Sequence, residues 1–164
     1  MLIKNLTEKE LYQALDLVNQ TPLLNGNLAF IKIEKKGKKK EIYRVVLKTL
    51  DYNNYGYRRG QGEYTFTREL GKRLPYACWH SHGLFFIALY RINPMVEIVS
   101  QGEKIDPFTW IDKNIGSRIM PLWYSEACDC PENLVNESIK QILPEGKELC
   151  LDCDYGQTTY TKNG

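Results

Sequence analysis

The chain has no long apolar run, only two histidines among its 164 residues, and neither an internal repeat nor a low-complexity linker. Its longest mostly apolar stretch, Gly83 to Tyr90, falls well short of the roughly 20 residues that a membrane-spanning helix needs. A helical membrane protein is excluded on that ground. Residues Met1 to Glu10 carry charges where a secretory leader requires an apolar core, so the expected location is cytoplasmic. Thiols stay reduced there, and the five cysteines read as core residues or metal ligands rather than disulfides. Without a linker, this length implies a single domain over residues 1–164. Apolar residues at 43% and charged residues at 26% are ordinary for a folded globular chain.

Charge is unevenly placed. Residues 1–75 hold 15 Lys/Arg against 8 Asp/Glu, whereas residues 76–164 hold 7 against 12. A basic N-terminal half, residues 1–75, thus faces an acidic remainder, which suits either contact with a polyanion or attraction between the halves. Eleven tyrosines supply flat apolar rings with polar tips, a composition common at binding surfaces and in half-buried sheets.

Local signals predict an α+β fold. Thr7 followed by Glu10 has the form of a capping box, and Leu11, Ala14, Leu15 and Val18 follow at helical spacing. The pattern predicts a helix from Glu8 to Asn19, ended by Thr21-Pro22. Two runs, Leu28 to Glu34 and Glu41 to Tyr52, alternate like strands, with Ile31 and Ile33 sharing one face and Tyr43, Val45, Leu47 and Thr49 another. Gly37 lies between them, so they are expected to form an antiparallel hairpin tipped by Lys35, Lys36, Lys38, Lys39 and Lys40. Tyr64 to Thr67 reads as a short strand. Pro75 is placed to open a helix from Tyr76 to Ile92, closed by Asn93-Pro94. Val96 to Val99 and Ile119 to Ser125 read as strands, and Pro131 to Leu143 as an amphipathic helix. The expected architecture is a single domain with an antiparallel or mixed sheet, helices on one face, and a zinc-stabilised C-terminal region.

That last element rests on cysteine spacing. Cys128-x-Cys130 and Cys150-x-x-Cys153 form two close pairs, and each pair can supply one edge of a tetrahedron of thiolates around Zn2+. The predicted helix lies between the pairs, so the chain can leave one and return to the other. Asp129, Asp152 and Asp154 make the segments polar, which argues against scattered core cysteines. Four thiolates fill the coordination sphere, so the metal expected over residues 126–156 is structural. A redox pair is the weaker alternative.

The histidines fall together in Cys78-Trp79-His80-Ser81-His82-Gly83. His80-Ser81-His82 resembles the His-x-His of zinc-dependent isopeptidases of the JAMM type. That family continues with a serine and then an aspartate downstream, where this chain has Tyr90 and Asn93, so the resemblance ends after three residues. His80 and His82 remain weak catalytic candidates for a hydrolase, metal-dependent or not, working with a carboxylate such as Glu97 or Glu126. The plainer reading makes them packing residues. On a helix, neighbours two apart point to nearly opposite sides and cannot share a ligand.

After the lysine-rich tip comes Tyr52-Asn53-Asn54-Tyr55-Gly56-Tyr57-Arg58-Arg59. Tyr55 and Tyr57 interleaved with Arg58 and Arg59 suit stacking on unpaired bases and pairing with phosphates. With the lysines, they point to nucleic acid, RNA or single-stranded DNA, as partner. No known reader motif is present. A protein-binding adaptor that uses the tyrosine-rich loop is the other alternative.

Overall fold

Thr7 opens the first helix as its sequence predicts. Its hydroxyl accepts from the Glu10 amide at 3.1 Å, and Glu10 Oε1 accepts from the Thr7 amide at 3.0 Å. The helix, α1, spans Glu8–Asn19 and buries Leu11, Ala14, Leu15 and Val18. Asn19 then clamps the following loop. Its side-chain amide donates to the Leu28 carbonyl and accepts from the Leu28 amide, both at 2.9 Å. The structure, a computed structural model, describes residues 1–37, 41–49, 64–67, 72–75, 77, 79–111, 130, 132–145, 149–151 and 158–160.

A five-stranded antiparallel sheet forms the base. Its strands are β1 (Leu2–Lys4), β2 (Leu28–Lys36), β3 (Ile42–Thr49), β6 (Glu97–Ser100) and β7 (Glu103–Ile105), in the order β2-β3-β1-β6-β7. Two further pairs form separate two-stranded sheets, β4 (Tyr64–Thr67) with β5 (Lys72–Pro75) and β8 (Leu149–Leu151) with β9 (Thr158–Tyr160). One sheet face carries Ile3, Tyr43, Val45, Leu47 and Ile98, all buried. Side chains alternate along a strand, so the opposite face carries Lys4, Arg44 and Val99.

The helices α2 (Trp79–Ile92), α3 (Pro107–Ile111) and α4 (Glu132–Ile142) join α1. The middle of α2 is apolar on all sides, and Leu84 to Leu89 are at most 2% exposed. A helix of that kind must be covered all round, and α2 packs against α1, α3 and α4. One buried cluster runs from Ile3 to Leu143. Polar contacts anchor α4: Ser138 Oγ accepts from the buried Leu23 amide at 3.0 Å, and Gln141 donates to the Gln20 carbonyl at 2.9 Å. Arg91, in the last turn of α2, donates to the Gln141 and Ile142 carbonyls at 3.2 and 3.4 Å, where a cation offsets the negative end of the α4 dipole.

Several expectations need correction. Pro75 does not open α2; it ends β5 opposite Tyr64, and the helix begins at Trp79. A strand end tolerates a residue without an amide hydrogen. A bulge between Phe30 and Lys32 shifts the β2–β3 register, so Phe30 pairs with Leu47 and Ile33 with Val45. That extra residue interrupts the strict alternation along β2. Strand β2 also runs on through Lys35 and Lys36, which are therefore part of the hairpin arm. The expected strand Ile119 to Ser125 lies outside the described residues, as does the end of the run to Tyr52. No helix among the described residues is long and apolar enough to cross a membrane.

Candidate functional site

The outer face of the sheet, opposite the helices, gathers charge from strands far apart in sequence. One lateral row follows the register across all five strands: Glu34, Arg44, Leu2, Val99 and Lys104. The next runs Lys36, Ile42, Lys4 and Glu97. Lys32, opposite Val46, stands on the same face. Among the described residues, Lys4, Lys32, Lys36, Arg44 and Lys104 thus share this face with Glu34, Glu97 and the buried Lys48. Glu34 is held by Lys32 at 2.8 Å and Lys36 at 3.5 Å, and the Lys32 hydrogen bond leads the effects that lower its pKa. Between the charges lie the aliphatic side chains of Leu2, Ile42, Val46 and Val99.

Lys35 stands in the row of Tyr43 but is exposed. Gly37 has φ 86°, the left-handed backbone that a tight reversal needs. Lys38, Lys39 and Lys40 lie outside the described residues, and so do Tyr55, Tyr57, Arg58 and Arg59.

The cysteine pairs are described in part. Cys130 is half-buried against the core directly ahead of α4. Cys150 sits in β8 opposite Thr159, and β9 lies against α4. Cys128 and Cys153 lie outside the described residues. Among the described residues, no group of three His, Cys, Asp or Glu side chains is placed to hold a metal ion.

Both histidines are half-buried in the first turn of α2, and Ser81 between them is fully buried. The helix separates them. His82 lines a cleft of about 460 Å3, whereas His80 is not among its described lining residues. Glu97 pairs with Lys4 on the outer face, away from that cleft; Glu126 lies outside the described residues.

The cleft lies between α2, α3 and the β6–β7 edge. Its lining includes His82, Phe86 and Trp110 as rings and Glu103, Lys104 and Asp106 as charges. Two local features place these groups. Gln101 and Gly102, at φ 52° and 78°, form the two-residue reversal between Ser100 and Glu103, the left-handed pair that matches strand twist. Asp106 and Pro107 start α3: Asp106 Oδ1 accepts from the amides of Phe108 at 3.0 Å and Thr109 at 3.2 Å. Tyr90 then meets Phe108 edge-on with ring centres 5.1 Å apart, and Phe86 meets Trp110 in the same way at 5.0 Å. Sequence reasoning missed this site. Asp-Pro ahead of an aromatic run was the available sign, as a cap followed by the residue favoured at the first helical position.

No protein-family model matches the chain, and neither a curated protein nor a solved structure matches it.

Proposed function

We propose that this protein binds single-stranded nucleic acid, RNA or DNA, through the outer face of its sheet and the lysine-rich β2–β3 hairpin. The observation that supports this reading is the strand register, which puts Lys4, Lys32, Lys36, Arg44 and Lys104 on one surface against Glu34 and Glu97. Lysine and arginine on a sheet surface meet phosphates, and release of the condensed counterions drives binding. The aliphatic side chains between them leave room for sugars and bases. Lys38, Lys39, Lys40 and the segment with Tyr55, Tyr57, Arg58 and Arg59 belong to the same basic half and would extend the contact.

A structural zinc ion on Cys128, Cys130, Cys150 and Cys153 completes this reading. Its support is the spacing of the pairs, together with Cys130 leading into α4 and Cys150 lying in the hairpin whose other strand packs on α4. A hydrolase built on His80 and His82 has less support. The helix turns the two rings apart, Ser81 is buried, and Glu97 is on the far side of the sheet.

Salt dependence tests the binding reading. For the wild type, the logarithm of the affinity for an oligonucleotide should fall linearly with the logarithm of salt concentration, by roughly 0.7 per phosphate contact on a single strand. Combined Lys36→Ser and Arg44→Ser should weaken binding to all sequences alike and reduce that slope by about 1.4. Adding Lys38→Ser, Lys39→Ser and Lys40→Ser should reduce it further. An unchanged slope in both variants means that the basic surface only keeps the protein soluble.

A further inference from the structure

The cleft beside β7 joins the outer face at Lys104, which pairs with Val99 on that face and also lines the cleft. Its volume of about 460 Å3 lies in the range of sites that enclose small ligands, about 300 to 1,000 Å3. We infer that it receives one nucleobase carrying an exocyclic amino group, stacked against Trp110, with the attached phosphate at Lys104. This rests on the nucleic-acid reading only for where the rest of a strand would run; the cleft can take a free nucleotide by the same chemistry.

The lining selects this ligand class by its distribution of donors and acceptors. Trp110 and His82 are half-buried rings, and the buried Phe86 holds both, with centroids at 5.0 and 6.2 Å. A flat ring entering the cleft therefore meets a surface whose orientation is already set, and stacking on such a surface tolerates any base. Around the rings stand Glu103 and Asp106. Ionised carboxylates accept hydrogen bonds and never donate them. Asp106 Oδ1 already caps α3, which fixes the carboxylate and leaves Oδ2 to accept.

Two carboxylates favour a partner that offers N–H groups and repel one that offers carbonyl oxygens. Cytosine presents an amino group to such an acceptor; uracil has a carbonyl oxygen at the same place and is otherwise nearly the same shape. A simple dianion does not fit, since the acidic groups outnumber the one described cation in the lining. A simple cation would meet Lys104 at the mouth. An amino-bearing base with a phosphate satisfies both ends.

Cytidine and uridine ligands make the decisive pair. Binding of cytidine monophosphate, uridine monophosphate, oligocytidine and oligouridine is measured on the full chain by calorimetry or polarisation. Cytidine should be preferred by at least about fivefold in both forms, as one carboxylate–amino pair predicts. Glu103→Gln, at an exposed position, and Asp106→Asn, which keeps a capping side chain, put amide donors in place of acceptors. One or both should erase the preference while the salt slope for oligonucleotides stays as in the wild type. Trp110→Leu should weaken cytidine and uridine alike, about tenfold.

Tight, salt-dependent oligonucleotide binding that is blind to cytidine against uridine overturns the cleft and leaves the outer face standing. A cytidine preference with oligomers no tighter than the mononucleotide supports the cleft as a free-nucleotide site and overturns the outer-face reading alone. A preference that survives both carboxylate changes, or no binding of any of the four ligands, overturns the inference.

Discussion

Tyr43 sits in the core row of the sheet between Ile3 and Lys35 and is 3% exposed. Burial first, and then the nearby Glu41 carboxylate, raise its phenol above the ordinary value of 10.0. The folded state therefore holds this proton more tightly than the unfolded state does. Its contribution to stability is complete below about pH 10 and is lost as pH rises through the higher folded value. Tyr43→Phe has no such proton, so the fall in its urea midpoint between pH 9 and pH 11 should be shallower than that of the wild type. A fall of equal steepness would show that other groups dominate alkaline unfolding. Ser138 makes a different point at the same scale. It is buried in α4, and its oxygen satisfies the Leu23 amide across 115 residues of chain. Ser138→Ala leaves that amide without its acceptor and should cost about 1–3 kcal/mol, read as a lowered urea midpoint with an unchanged slope.

The elements divide by how local their causes are. Helix α1 carries its own start signal in Thr7 and Glu10, and its buried face recurs at helical spacing, so it was legible before any packing was known. The hairpin β2–β3 was legible too, in its alternation and in Gly37, but its bulge was not. A bulge answers to the partner strand, and nothing in Phe30 to Lys32 announces it. The turn from β6 to β7 depends on Gly102 at φ 78°. A Cβ there would touch nothing within 4 Å, so the cost of a side chain comes from the backbone alone. Gly102→Ala should lower stability by about 1–2 kcal/mol, and Gly102→Asn by less, since asparagine tolerates this conformation. Equal melting temperatures for all three would mean that the turn has relaxed to another form. In that case Glu103 and Lys104 would no longer be held at the cleft.

At the scale of the molecule, the C-terminal third is tied back to the first. Helix α4 touches the loop after α1 through Ser138 and Gln141, and Arg91 bonds its last carbonyls. If Cys128, Cys130, Cys150 and Cys153 hold zinc, with sulfurs about 2.3 Å from the metal, the ion clamps both ends of the segment that contains α4. Purified protein should then contain about one zinc per chain. Chelation should lower the melting temperature, and Cys150→Ser with Cys153→Ser should lower it without further loss on chelation. Metal-free protein of unchanged stability removes the zinc from this account. Net charge is a property of this scale as well. The excess of +2 for the whole chain says little about partners, whereas the sheet register gathers Lys4, Lys32, Lys36, Arg44 and Lys104 on one face.

Periodicity and caps are short-range properties, and they settled the α+β class, α1, the hairpin, β4 and the body of α2 and α4 from the chain alone. Strand β1, three residues long, was invisible because so short a run has no period; only its two neighbours make it a strand. The outer-face rows and the cleft were invisible for the same reason. Lys4, Arg44 and Lys104 share a surface because three strand pairings align them, and His82, Glu103 and Trp110 share a cleft because α2 and α3 dock beside the sheet edge. No local preference of those residues encodes that meeting. Burial of the apolar faces of α2 and the sheet brings them together.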